Sequence, residues 1–208
     1  MTYKFALPFF AIAGLAACEL PNENTLSRSD LTALSADDVR ASRLDFTAAT
    51  DIPTGSATYE GHVRSDAIVN GEDDYSILGL LEMGVDISAT AGREGSGGID
   101  GTISQINLFD DNDDGFEDQE FGGELTVRGD ARDGRIEATA TGVLDAVLDD
   151  VLVEQTSTWS LDLRGDFVTD FDDGDTIVGD VSGGTTGSAS DDYDVTLTGT
   201  GKFFGERQ

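Results

Sequence analysis

The stretch WSLDLRGDF, residues 159–167, places Trp159, Leu161, Leu163 and Phe167 on one side of an extended chain and Ser160, Asp162, Arg164 and Asp166 on the other. Successive side chains of a strand point to opposite faces, so this alternation predicts a strand with one dry face and one wet face. YSILGLLEMGVDISA repeats it with Tyr75, Ile77, Leu81, Met83, Val85 and Ile87, and YDVTLTGTGKF with Tyr193, Val195, Leu197 and Phe203. RIEATATG alternates small apolar with polar residues. Period two recurs from Gly55 onward and predicts strands over 55–64, 75–89, 98–109, 122–129, 134–143, 157–167, 175–182 and 193–204. LDAVLDDVLVEQ, residues 144–155, fits either a short helix or an extra strand.

Glycines recur inside these runs, at Gly61, Gly79, Gly142, Gly165, Gly179, Gly199 and Gly201. Glycine weakens a strand interior, so its repeated use marks tight bends or close backbone approach, as in small barrels. The connections DARDG and FDDGD carry Asp-Gly, which supplies positive φ in tight turns. An antiparallel barrel or a sandwich satisfies this pattern. The barrel is preferred because closure removes exposed strand edges. The expected fold is therefore all-β, a single antiparallel up-and-down β-barrel of about eight strands over residues 55–208. A chain of 208 residues suits one such domain and buries roughly 70% of its unfolded surface.

The first 17 residues read differently. MTYKFALPFFAIAGLAA has one charge, Lys4, then an apolar run from Phe5 to Leu15, then two small residues. That is the layout of a secretory signal peptide, and the run is shorter than the ~20 residues a membrane-spanning helix needs. Leu15-Ala16-Ala17-Cys18 follows, with the one cysteine of the chain. This tetrapeptide resembles the lipobox of bacterial lipoproteins. The resemblance implies acylation of the Cys18 thiol, cleavage before Cys18 and a membrane partner reached through the lipid. Glu19 stands where an Asp would be the usual inner-membrane retention signal, so outer-membrane sorting is expected. Residues 18–54 are expected to hold the lipidated cysteine, a polar tether to about residue 34, and one short helix over SADDVRASRL with Ser35 as N-cap and Asp38 three residues later.

Acidic residues number 42 against 12 basic, a formal net charge of −30. Nucleic acid is excluded as a partner, because counterion release needs clustered Lys and Arg. Such a charge keeps a chain soluble, and it also fits cation binding or a basic partner. FDDNDDGFEDQEF is the sharpest acidic motif. Asp110, Asn112, Asp114 and Gly115 match the opening of an EF-hand loop, with Asp118 at the ninth position. Phe121 occupies the twelfth position, where a bidentate Glu belongs, and the flanks read as strands. The candidate is therefore a calcium-binding β-loop through Asp110, Asn112, Asp114 and Asp118, against the alternative of a solvated acidic connection. Asp172, Asp173 and Asp175 form a sparser cluster that reads as a turn.

Enzyme chemistry finds little support. His62, the one histidine, lies in the polar phase of its strand (Thr58, Glu60, His62, Arg64) and is expected to be exposed there. No G-x-S-x-G or H-E-x-x-H motif is present. No catalytic residue is assigned, and the expected activity is binding rather than catalysis.

Four segments carry a family resemblance: GSATYEGHV, GGIDGTISQINLF, LRGDFVTDFDDGDTIVGDVSG and GTGKFFGE. Together they span residues 55–205 and resemble the barrel strands of the transferrin-binding-protein-B-like surface lipoproteins, a group akin to the factor H-binding lipoproteins. The resemblance implies an eight-stranded barrel on a lipid anchor whose loops hold a protein or small-molecule ligand. This chain has room for one such barrel. The second function class in view is an acidic, calcium-binding envelope lipoprotein with no specific macromolecular partner.

Overall fold

The computed structural model describes residues 26–52, 54–90, 93–111, 119–147, 154–169, 174–188, 194–198 and 201–208. In chain order they form α1 (Arg28–Ala41), β1 (Asp45–Phe46), β2 (Gly55–Val69), β3 (Glu72–Thr90), β4 (Arg93–Asp110), β5 (Gln119–Gly122), β6 (Leu125–Arg132), β7 (Arg135–Val147), β8 (Glu154–Thr169), β9 (Thr176–Ser188), β10 (Val195–Leu197) and β11 (Lys202–Arg207). Antiparallel pairing runs β2-β3-β4-β6-β7-β8-β9-β11, and β11 returns to β2, with Phe203 opposite both Val63 and Gly179. Neighbours in sequence are neighbours in the ring, so this is an eight-stranded up-and-down barrel with no free edge.

Each of the eight predicted segments occupies one place in the ring. Two are interrupted. β5 takes over from β6 between β4 and β7, beyond a break at Gly123, whose φ is 99°. β10 takes over from β11 between β2 and β9. The ambiguous 144–155 segment extends β7 to Val147 and opens β8 at Glu154; its middle, like Tyr193, lies outside the described residues.

The predicted dry phase faces inward. Ile77, Leu81, Met83, Val85, Ile87, Trp159, Leu161, Leu163, Phe167, Val195, Leu197 and Phe203 are all buried in one interior cluster, and Tyr75 packs half-buried against it. Trp159 places its ring edge-on to Phe121 at 5.5 Å, and its indole N–H donates to the Ser157 hydroxyl at 2.8 Å. Phe203 reaches into the barrel because its strand neighbours are glycines. A Cβ on Gly165 or Gly179 would sit 2.6 or 2.4 Å from its ring. A β-bulge at Gln105 (φ 48°) inserts an extra residue opposite Gly79, so the inward phase of β4 passes from Ile99 and Ile103 to Ile106 and Leu108. The space left among Ile77, Leu125, Trp159 and Leu161 is about 10 Å³, too small for any ligand.

Before the barrel, the structure corrects the predicted helix. It starts at Arg28, not Ser35, and so shortens the tether expected to run to residue 34. Ser27 is the N-cap: its backbone N–H and its hydroxyl both donate to the Asp30 carboxylate, at 2.8 and 2.6 Å. The cause is local, since Ser27-x-x-Asp30 offers the capping-box spacing two turns earlier. Ser35 instead sits inside the helix and donates its hydroxyl to the Thr32 carbonyl. The chain then closes one mouth of the barrel. β1 pairs with the end of β8, and the Thr47 N–H donates to the Phe167 carbonyl. Ile52 joins the interior cluster. At that mouth the Tyr59 hydroxyl donates to the Gly174 carbonyl at 2.6 Å.

Candidate functional site

The lipobox residues, Cys18 included, lie outside the described residues. Of the proposed metal ligands, Asn112, Asp114 and Asp118 lie outside them too, as do Asp172 and Asp173 of the sparser cluster. Asp110 closes β4 with its side chain buried, and the Arg28 guanidinium donates to its carbonyl. Asp111 follows: its carboxylate accepts from the Ser76 hydroxyl at 2.8 Å and its N–H donates to the Asp74 carbonyl at 2.8 Å. The β2–β3 turn is thereby tied to the start of the acidic loop. Its own acids, Glu72, Asp73 and Asp74, are exposed at the same mouth. Among the described residues no three His, Cys, Asp or Glu side chains converge as a metal site would need.

His62 requires a correction. It does lie in the outward phase of β2, yet it is only 1% exposed, because α1 crosses the outer wall over it. Its Nε2 lies 3.0 Å from Asp38 Oδ1, and Arg64 Nε donates to Asp38 Oδ2 at 2.8 Å. The Phe204 ring lies 5.6 Å away on β11, the Arg40 guanidinium stands 5.7 Å over the centre of that ring, and Arg40 pairs with Glu206 at 2.6 Å. Burial pushes the Asp38 carboxyl upward, but hydrogen bonds and charge from His62 and Arg64 outweigh it and hold the group below the ordinary carboxylate range.

An imidazole beside a carboxylate is the pairing of a general base, but this ring is roofed and out of reach of a substrate. Its work here is to hold the helix to the barrel wall. Leu78 and Phe109 are also buried on outward positions of β3 and β4, apart from the interior cluster. They lie on the strands between the Arg28 and Asp38 attachments. At the closed mouth, burial likewise pushes the Tyr59 phenol up to about 12, so it stays a donor to Gly174.

Sequence reading gave Asp38 only a capping part and missed its place in this cluster. The trace available was the face formed by Leu31, Leu34, Asp38 and Ala41, spaced three or four apart, together with apolar Leu78 and Phe204 in the wet phase of their strands. No protein-family model matches this chain, and the curated proteins give no significant match either.

Proposed function

We propose that this chain is a lipoprotein of the bacterial cell envelope, acylated at Cys18 and sorted to the outer membrane, that acts as a non-enzymatic binding module on a barrel scaffold. The observation that carries the reading is the Leu15-Ala16-Ala17-Cys18 sequence behind a short apolar leader, in a chain whose remaining residues hold no second cysteine. A barrel with a filled interior supports the binding part: a ligand must meet loops or the outer wall. The partner is a protein or a small molecule, and nucleic acid is excluded by the charge of −30.

The test is Cys18→Ala. Each buried CH₂ of an acyl chain contributes about 0.8 kcal/mol, so two or three chains hold a protein firmly. The variant should lose metabolic labelling with an alkynyl fatty acid and should leave the tightly bound membrane fraction. Equal labelling and equal retention would reject the anchor.

A second reading, calcium binding by the acidic mouth, is favoured by the bond from Asp111 to Asp74, which sets the exposed acids of the β2–β3 turn beside Asp110 and Asp111, where the acidic motif begins. Calcium would be held by Asp110, Asn112, Asp114 and Asp118, hard oxygen ligands of the type it prefers.

A further inference from the structure

We propose that the outer wall of the barrel beside α1 carries a docking groove for a peptide segment that presents a large apolar side chain next to a carboxylate. The groove has a volume of about 400 Å³. One side is formed by Val39 in the last turn of α1 and by Phe46 of β1. Its floor is the outward face of four adjacent strands, β2, β11, β9 and β8.

Two independent features point to the occupant. The first is apolar exposure. Phe46 is 74% and Val39 53% exposed, and among the described residues only Val143 is another large apolar side chain so open to water. Two of the three therefore flank one groove, which is where an apolar partner side chain gains most from burial.

The second is charge. Strand register sets Arg64, Lys202, Asp180 and Arg164 in one row across the floor. The groove is lined by three of the chain's 12 basic residues, Arg64, Lys202 and Arg164, and by three carboxylates, Asp38, Asp180 and Asp166, the last 3.9 Å from Arg135. Arg64 is held by Asp38, and Lys202 by Asp180. Arg164 makes no ion pair among the described residues: of its two cross-strand neighbours, Asp180 is held by Lys202, and Glu137 on β7 makes no salt bridge with it. A guanidinium without an ion pair and an exposed phenyl ring that line one groove suit a carboxylate two-pronged on Arg164 and an apolar group against Phe46. The volume suits one or two side chains, within the ordinary range of ligand clefts. A second copy of the chain is a poor occupant, since two bodies of net charge −30 repel each other.

The proposal rests on the binding-module reading but not on the lipid anchor, and it places the contact on the wall rather than the loops. The experiment pans a displayed library of random 12-residue peptides on the full chain, with counter-selection on Arg164→Glu. Enriched peptides should carry Asp or Glu within two positions of Phe, Trp, Leu or Ile. A synthetic peptide of the enriched sequence should bind at least about tenfold more weakly to Arg164→Glu and to Phe46→Ala, and as well as to wild type with Val143→Ala. Both side chains are exposed, so thermal melts should show the variants folded. Peptides that bind Arg164→Glu and Phe46→Ala as tightly as wild type would overturn the groove and leave a binding module with its site elsewhere. No enrichment over Arg164→Glu, or self-association abolished by Phe46→Ala, would overturn it as well.

Discussion

Asp38 Oδ1 lies 3.0 Å from His62 Nε2 across the seam between α1 and β2, and the other oxygen of the same carboxylate accepts from Arg64. One carboxylate thus joins the helix that precedes the barrel to the wall of the barrel itself. Its side chain is 8% exposed and that of His62 1%, so the contact is largely removed from water and little screened.

Removing that carboxylate should cost stability. Asp38→Ala leaves a buried imidazole and a partly buried guanidinium without their acceptor, a loss of about 1–3 kcal/mol in urea denaturation. The pH dependence has a definite sign. The Asp38 pKa is lowered in the folded protein, so its stabilisation is fully present above the unfolded value of about 4 and is lost as pH falls through the folded pKa. Wild type should therefore lose more stability than Asp38→Asn between pH 5 and pH 3. Parallel losses in the two proteins would show that the carboxylate is not coupled to folding.

Trp159 is the largest fully buried side chain, and its N–H has a partner inside the core. Trp159→Ala should cost about 3–5 kcal/mol by removing a large volume that the packed barrel cannot refill. In wild type the indole emission should be blue-shifted and poorly quenched by acrylamide. Emission typical of water would mean that the inward phase of β8 is misassigned.

Gly179 is required where it stands. A Cβ there would lie 2.3 Å from the Arg164 carbonyl as well as 2.4 Å from the Phe203 ring. Gly179→Ala should destabilise by about 1–3 kcal/mol, and Phe203→Leu should not rescue it, since the backbone clash persists. A thermally neutral Gly179→Ala would contradict the close approach of β8 and β9.

Calcium supplied in the millimolar range should raise the melting temperature if the 110–118 loop binds it with an affinity of ~10⁻⁴–10⁻³ M. Magnesium at equal ionic strength should do less, which separates coordination from screening. The informative variant is Asp114→Asn with Asp118→Asn, because Asp110 is buried at the end of β4 and its loss would disturb the strand. Equal stabilisation of wild type and variant by both ions would reduce the loop to a solvated connection.

Strands were the most legible part of this chain, because half-buried strands write their two faces into every second residue. Trp159, Leu161, Leu163 and Phe167 could be assigned inward without knowing their neighbours. Closure was legible only indirectly, through glycines such as Gly179 whose need appears once Phe203 lies opposite. The helix start was misread because Ser35 and Ser27 both offer a cap, and spacing alone does not rank them. The burial of His62 was beyond a period-two reading. It depends on a helix 24 positions away in sequence folding back over the polar face, and only Leu78, Phe109 and Phe204, apolar in the wet phase, hint at a cover. The groove beside Phe46 depends on the same docking.

The lipidated cysteine proposed for this barrel is open to one decisive measurement, the mass of the N-terminal peptide. Protein extracted from the membrane of the producing cells should yield, after proteolysis, a peptide beginning at Cys18 whose mass exceeds that of the bare sequence by a diacylglyceryl group and an N-acyl chain. A peptide that still contains residues 1–17, or one that begins near Cys18 with an unmodified thiol, would contradict it.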